Sequence, residues 1–102
     1  MDICINLLGP IKRLLEEILI KANKWVIFKE IAMEREWQDK KYGSLEERNP
    51  SVDEWVDILS EELKEVLSAK TLEEKLEELL QVVSVGVACL EQHGVIRRKE
   101  LQ

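Results

Sequence analysis

Two capping boxes constrain this chain more than any other feature: Ser51-x-x-Glu54 and Thr71-x-x-Glu74. In each, the hydroxyl can accept a hydrogen bond from the amide three residues on, while the glutamate reaches back to the cap amide. A helix is therefore predicted to start directly after each cap, over residues 52–67 and 72–93. A short connection at 68–70 separates them, and Gly94 marks the second stop. Upstream, residues 11–41 are helical in composition. Leu14, Leu15, Ile18, Leu19, Ala22, Trp25, Val26 and Ile31 roughly keep the helical period. Asn23 leaves open whether that stretch is one helix or two. Gly9-Pro10 reads as a helix start, and residues 42–50 (YGSLEERNP) read as a loop.

With only four glycines and two prolines in 102 residues, little else can interrupt helix. An apolar fraction of 45% excludes a disordered chain, so the expectation is one all-α domain. The net charge of −6 argues against non-specific binding to a nucleic-acid polymer. It leaves room for a nucleotide, since a bound cation can reverse the local charge. Cys4 and Cys89 are too few for a disulfide scaffold, and with the lone His93 they make no zinc site. A reducing, cytoplasmic setting is the expectation. The longest apolar run, residues 79–90, is interrupted by Gln81 and Ser84 and is too short to span a bilayer. Asp2 and the lack of a basic region before the apolar stretch speak against a secretory signal.

At about 100° per residue, Val52, Trp55, Val56, Leu59, Leu63, Val66 and Leu67 form one apolar arc of the first capped helix. Glu61 points away from it. Glu62 borders it, between Trp55 and Ile58, and Glu65 lies one turn further on the same flank. Carboxylates beside Trp and Ile are costly unless compensated. The second capped helix has a main arc of Leu72, Leu76, Leu79, Leu80, Val83, Val87 and Leu90. A second apolar face of Val82, Val85, Ala88 and Cys89 lies behind it. A helix apolar all round is buried all round, so a helical bundle completed by oligomerisation, as a dimer or tetramer, is expected. Glu78 and Gln81 begin the second face. Two helices thus each offer a pair of oxygen ligands at one-turn spacing, a recurrent site for hard divalent cations.

Glu62-x-x-Glu65, twelve residues, then Glu78-x-x-Gln81 resembles the ExxE…ExxD signature of the MazG-like all-α nucleoside triphosphate pyrophosphohydrolases. Residues 55–65 resemble the family's first metal helix, and residues 77–91 its last core helix. Glu34-Arg35-x-x-Gln38-x-x-Lys41-Tyr42-Gly43 is similar to the ERxxQxxKWG segment of small phage-like or prokaryotic members. The likeness covers roughly residues 24–93, so residues 1–22 read as an added helix and 23–102 as the domain. Gln81 stands where the signature has Asp, which removes a charge and weakens the hold on a metal. Tyr42 replaces the usual Trp.

The resemblance implies Mg²⁺-dependent hydrolysis of a nucleoside triphosphate to monophosphate and pyrophosphate, with Mn²⁺ as a substitute. Glu62, Glu65 and Glu78 would hold the metal, with Gln81 as a weaker ligand. Glu62 or Glu61 would orient the attacking water. Trp55 is a candidate for base stacking, the alternative being a core tryptophan. Gln38, Lys41 and Tyr42 are candidates for substrate contact. Arg35 reads as an intrahelical salt-bridge partner, Trp25 and Trp37 as packing residues, and His93 as a cation at a helix C-terminus. Two other readings compete: a phosphoribosyl-ATP pyrophosphohydrolase-like enzyme and a non-catalytic helical adaptor. Glu62 discriminates against the adaptor, which has no reason to keep a carboxylate between Trp55 and Ile58.

Overall fold

The computed structural model describes residues 2–102, with side chains from Leu8 onward, and among these residues every regular element is helical. Helix α1 spans Asp2–Tyr42, α2 Leu45–Arg48, α3 Val52–Ser68 and α4 Leu72–His93, followed by a 3₁₀ turn at Lys99–Leu101. The chain divides into two units, the first ending at Glu30 and the second comprising Ile31–Gln102.

Helix α1 settles the choice at Asn23, running through it without a break. Pro10 does not start the helix as expected; it lies inside it. A proline so near the amino-terminal end removes one amide from the ladder, and the strong helix formers after it carry the helix on. In the first unit the helix surface is apolar and open: Leu14, Leu15, Ile18, Leu19 and Val26 are all more than half exposed. Trp25 is 71% exposed and meets only the edge of Phe28, ring centroids 5.9 Å apart. Its expected packing role is not fulfilled within the unit. Cys4 falls outside the described side chains.

In the second unit α3 and α4 form the main helix pair; the Ser51 box forms as expected and the Thr71 box forms in half. The Ser51 hydroxyl accepts from the Glu54 amide at 3.1 Å and the Glu54 carboxylate accepts from the Ser51 amide. Thr71 likewise accepts from the Glu74 amide, but Glu74 reaches one residue further back, to the amide of Lys70. Residues 42–50 are not an unstructured loop. Ser44-x-x-Glu47 is a third capping box and opens the single turn α2. Gly43, with φ of 93°, makes the turn out of α1, and Asn49, with φ of 42°, closes α2 in the left-handed region.

The core of this unit is small: Trp55, Val85 and Ala88, with Leu45, Ile58, Leu59 and Cys89 packed around them. Its composition corrects the expected helix faces. On α4 the covered side is the second face, Ser84, Val85 and Ala88, whereas Leu72, Leu76, Leu79, Val83 and Leu90 of the main arc are exposed. On α3 the arc is split. Trp55 is buried and Leu59 half-buried, while Val52, Val56, Leu63 and Leu67 are exposed. The reason is steric: Ser84 and Ala88, four residues apart, are small enough to be wholly enclosed, and the bulkier leucines turn outward. Glu62 and Glu78 are consequently on the inward sides of their helices and half-buried.

Polar contacts tie the remaining pieces on. Arg35, 3% exposed, donates from Nε and Nη2 to Glu91 of α4 at 3.0 and 2.8 Å, and from Nη2 to Asp39 at 2.9 Å. The intrahelical pair was expected; the bond to α4 adds a long-range tether. Gln92 accepts from the Trp55 indole at 2.7 Å and donates to the Asn49 side chain and the Pro50 carbonyl, both at 2.9 Å. His93, in the last turn of α4 as expected, also contacts the Pro50 carbonyl through Nε2.

Candidate metal centre and adjoining cavity

Glu62 and Glu65 are one turn apart on α3, and Glu78 faces them from α4. One carboxylate oxygen from each lies within 4.8 Å of the others. A buried oxygen of Glu62 and one of Glu78 accept no hydrogen bond. Burial is the main cause holding the Glu62 carboxyl above the ordinary glutamate range, followed by the charges of Glu65, Glu78 and Glu34. Glu78 is also raised, by burial, then by a hydrogen bond with Glu65 and the charges of Glu65 and Glu77. Folding has thus gathered three acidic groups and left one buried oxygen on each of Glu62 and Glu78 without a partner. Hard oxygen donors converging in this way fit a divalent cation, which supplies the missing positive charge.

The cluster stands between two depressions. One, of about 260 Å³, is lined by Trp37, Gln38, Tyr42, Arg48, Trp55, Glu62 and Gln81, with Glu34, Ile58 and Val85 completing it. The other is a more open acidic groove bordered by Glu61, Glu65, Glu74, Glu77 and Glu78, with Lys64 as its cation. Glu62 belongs to the first and its two partners to the second.

Most of the sequence-predicted site residues meet here. Gln81 and Glu62 both line the cavity. Gln38 is 7% exposed, its carbonyl accepting from Arg35 Nη1 at 3.1 Å and its amide pointing to Glu34. Tyr42 is half-exposed in the same cavity. Trp55 is 2% exposed with its indole committed to Gln92, so it is a core residue that also contributes to the cavity wall. Lys41 does not line the cavity; its ammonium lies 4.7 Å from the Trp37 ring centroid and 5.1 Å from that of Tyr42. Glu61 points to solvent, as its helical angle required, and pairs with Lys64 at 3.1 Å.

Five lining residues were not among the expected ones: the apolar Ile58 and Val85, and Trp37, Glu34 and Arg48. Trp37, read from sequence as packing, is 50% exposed and lines the cavity. Glu34 joins it one turn earlier on α1. Arg48 ends α2, and the signal that could have located it is the Ser44-x-x-Glu47 box. The chain matches no protein-family model, no curated protein and no solved structure.

Proposed function

We propose that this chain is a Mg²⁺-dependent nucleoside triphosphate pyrophosphohydrolase of the MazG-like kind, releasing monophosphate and pyrophosphate. The observation that carries the reading is the triad Glu62, Glu65 and Glu78, with two buried, unpartnered oxygens, next to a ring-lined cavity. Those three residues would hold the metal, with Gln81 as a neutral fourth donor and Mn²⁺ as a substitute. The cation would neutralise phosphate charge and so admit a triphosphate to an acidic chain. Glu61 borders the acidic groove outside the triad, where it pairs with Lys64, and would be the carboxylate that accepts a proton from water. The base would occupy the cavity against Tyr42 and Trp37, with the buried Trp55 behind the wall.

The exposed stripe Leu72, Leu76, Leu79, Val83 and Leu90 supports a homodimer or homotetramer in which a second copy covers α4. The same stripe, with the neutral Gln81, favours the adaptor reading, which Glu62 and Glu78 oppose. Cytoplasmic location fits the proposed substrate. Among the described residues no helix is long and apolar enough to cross a membrane.

The test is pyrophosphate release from a panel of ribo- and deoxyribonucleoside triphosphates with Mg²⁺, Mn²⁺ or chelator. Metal-dependent release with formation of the monophosphate supports the reading. Folded protein that releases none from any nucleotide overturns it and favours the adaptor. A dilution series in the ultracentrifuge that yields a stable, folded monomer overturns the oligomer.

A further inference from the structure

Arg48 has no role in the metal chemistry, yet it is the best-anchored cation of the cavity. Its guanidinium carbon lies 5.4 Å from the Trp55 ring centroid and 5.8 Å from that of Tyr42. Its backbone is equally fixed: the Arg48 amide donates to the Ser44 carbonyl at 3.1 Å, and the next residue, Asn49, is held by Gln92. Both rings and the guanidinium border the same cavity. Within that arrangement Arg48 Nε is buried and has no hydrogen-bond partner. A guanidinium can only donate. A buried donor held rigidly beside aromatic rings is satisfied by a flat ligand that brings an acceptor in its plane.

We propose that Arg48 is the base-recognition residue of this cavity and that it selects a nucleobase bearing a ring carbonyl, a 6-oxopurine over adenine. The inference rests on the nucleotide reading above. A carbonyl oxygen offers two lone pairs to Arg48. Adenine places an exocyclic amino donor where the oxo group would be, donor against donor. Glu34, in the same cavity, is an acceptor suited to the N1–H that adjoins the 6-oxo group and that adenine lacks. The 6-oxo and N1–H edge therefore matches a donor and an acceptor of the site, and the adenine edge reverses both.

The experiment is equilibrium binding of inosine and adenosine monophosphates, which differ only at that edge. It is followed through the tryptophan indole N–H resonances in the presence of chelator, with inorganic triphosphate as a third ligand. Wild type binds inosine monophosphate roughly tenfold more tightly than adenosine monophosphate, the scale of one hydrogen bond to a charged group. Arg48→Gln brings the ratio to about one. Arg48→Lys keeps a cation over the rings but not the planar donor, so it folds and also loses the preference. An unchanged ratio in both variants overturns the proposal, as does a loss that falls equally on inorganic triphosphate, which would make Arg48 a phosphate ligand. Absence of monophosphate binding in wild type overturns it even where pyrophosphate release is seen. A preference that depends on Arg48 with no triphosphate cleaved upholds it and overturns the hydrolase reading.

Discussion

Glu62→Gln is expected to stabilise the metal-free protein while abolishing its response to metal. The carboxylate oxygens of Glu62, Glu65 and Glu78 lie within 4.8 Å of one another. At that separation a pair of unit charges repels by roughly 1 kcal/mol in a water-like medium and about 3.5 kcal/mol at an effective dielectric of 20. Glu62 takes part in two of the three pairs, but all three side chains retain some exposure. After screening, a net gain of about 1–2 kcal/mol is the scale. The new amide can donate to a neighbouring carboxylate, so it leaves no fresh unpaired group. In a domain of this size such a gain raises Tm by roughly 4–15 °C. The pH dependence fixes the sign. Glu62 and Glu78 bind protons more readily folded than unfolded. Their contribution therefore favours the folded state at low pH and is lost as pH rises from the ordinary glutamate range through the raised value. Thermal unfolding by circular dichroism, in chelator, should show the variant above wild type at neutral pH and the gap closing on acidification. Mg²⁺ or Mn²⁺ should raise the Tm of wild type only. A variant less stable than wild type in chelator at neutral pH would refute the reasoning, since the carboxylate would then be engaged in a favourable bond.

Gln92→Ala leaves the buried Trp55 indole without an acceptor and cuts both links to residues 49 and 50, costing about 2–4 kcal/mol. Urea unfolding measures the loss, and one under 1 kcal/mol (roughly) contradicts the latch. Ser84 is fully enclosed and its hydroxyl has no partner, so Ser84→Ala should be neutral or stabilising by up to about 1 kcal/mol in the same assay. Arg35→Ala removes the tether to Glu91 and leaves the Gln38 carbonyl without its donor, for a loss of about 2–4 kcal/mol that high salt only partly reproduces in wild type.

What was legible in the sequence was local chemistry. The Ser51 and Thr71 boxes placed α3 and α4 within a residue of where they lie, because a cap is decided by four adjacent residues. The Ser44 box was equally readable, but Gly43, Asn49 and Pro50 crowd it and the turn it opens is a single one. Which apolar face of α4 meets α3 was not legible, for a tertiary reason. Counting apolar residues chose the leucine arc of α4, whereas enclosure was decided by which positions were small, Ser84 and Ala88. Glu62 and Glu78 were nevertheless placed on or beside a covered flank, since angular position survives a modest rotation of the helix. The Ser44 box could have placed Arg48 at the end of α2 but not in a cavity, since its place there arises from contacts with Tyr42 and Trp55 across separate elements.

The distinction between this cluster and an ordinary charged helix surface lies in what each acid has found. Glu61 has solvent and Lys64, Glu54 and Glu47 have cap amides, and Glu91 has Arg35. In each case the charge is either hydrated or answered by a donor, so it costs the fold little. Glu62 and Glu78 have an unpartnered buried oxygen each, and their nearest charged neighbours are further carboxylates. An apolar or amide side chain at either position would suit the folded chain better, so the chain alone gives no stabilising reason for the pair. A cation that took both oxygens together with Glu65 would supply one, so a metal-binding site is expected to show both a metal response in wild type and a neutral-pH gain in Glu62→Gln, whereas the gain without the metal response would leave the pair unexplained.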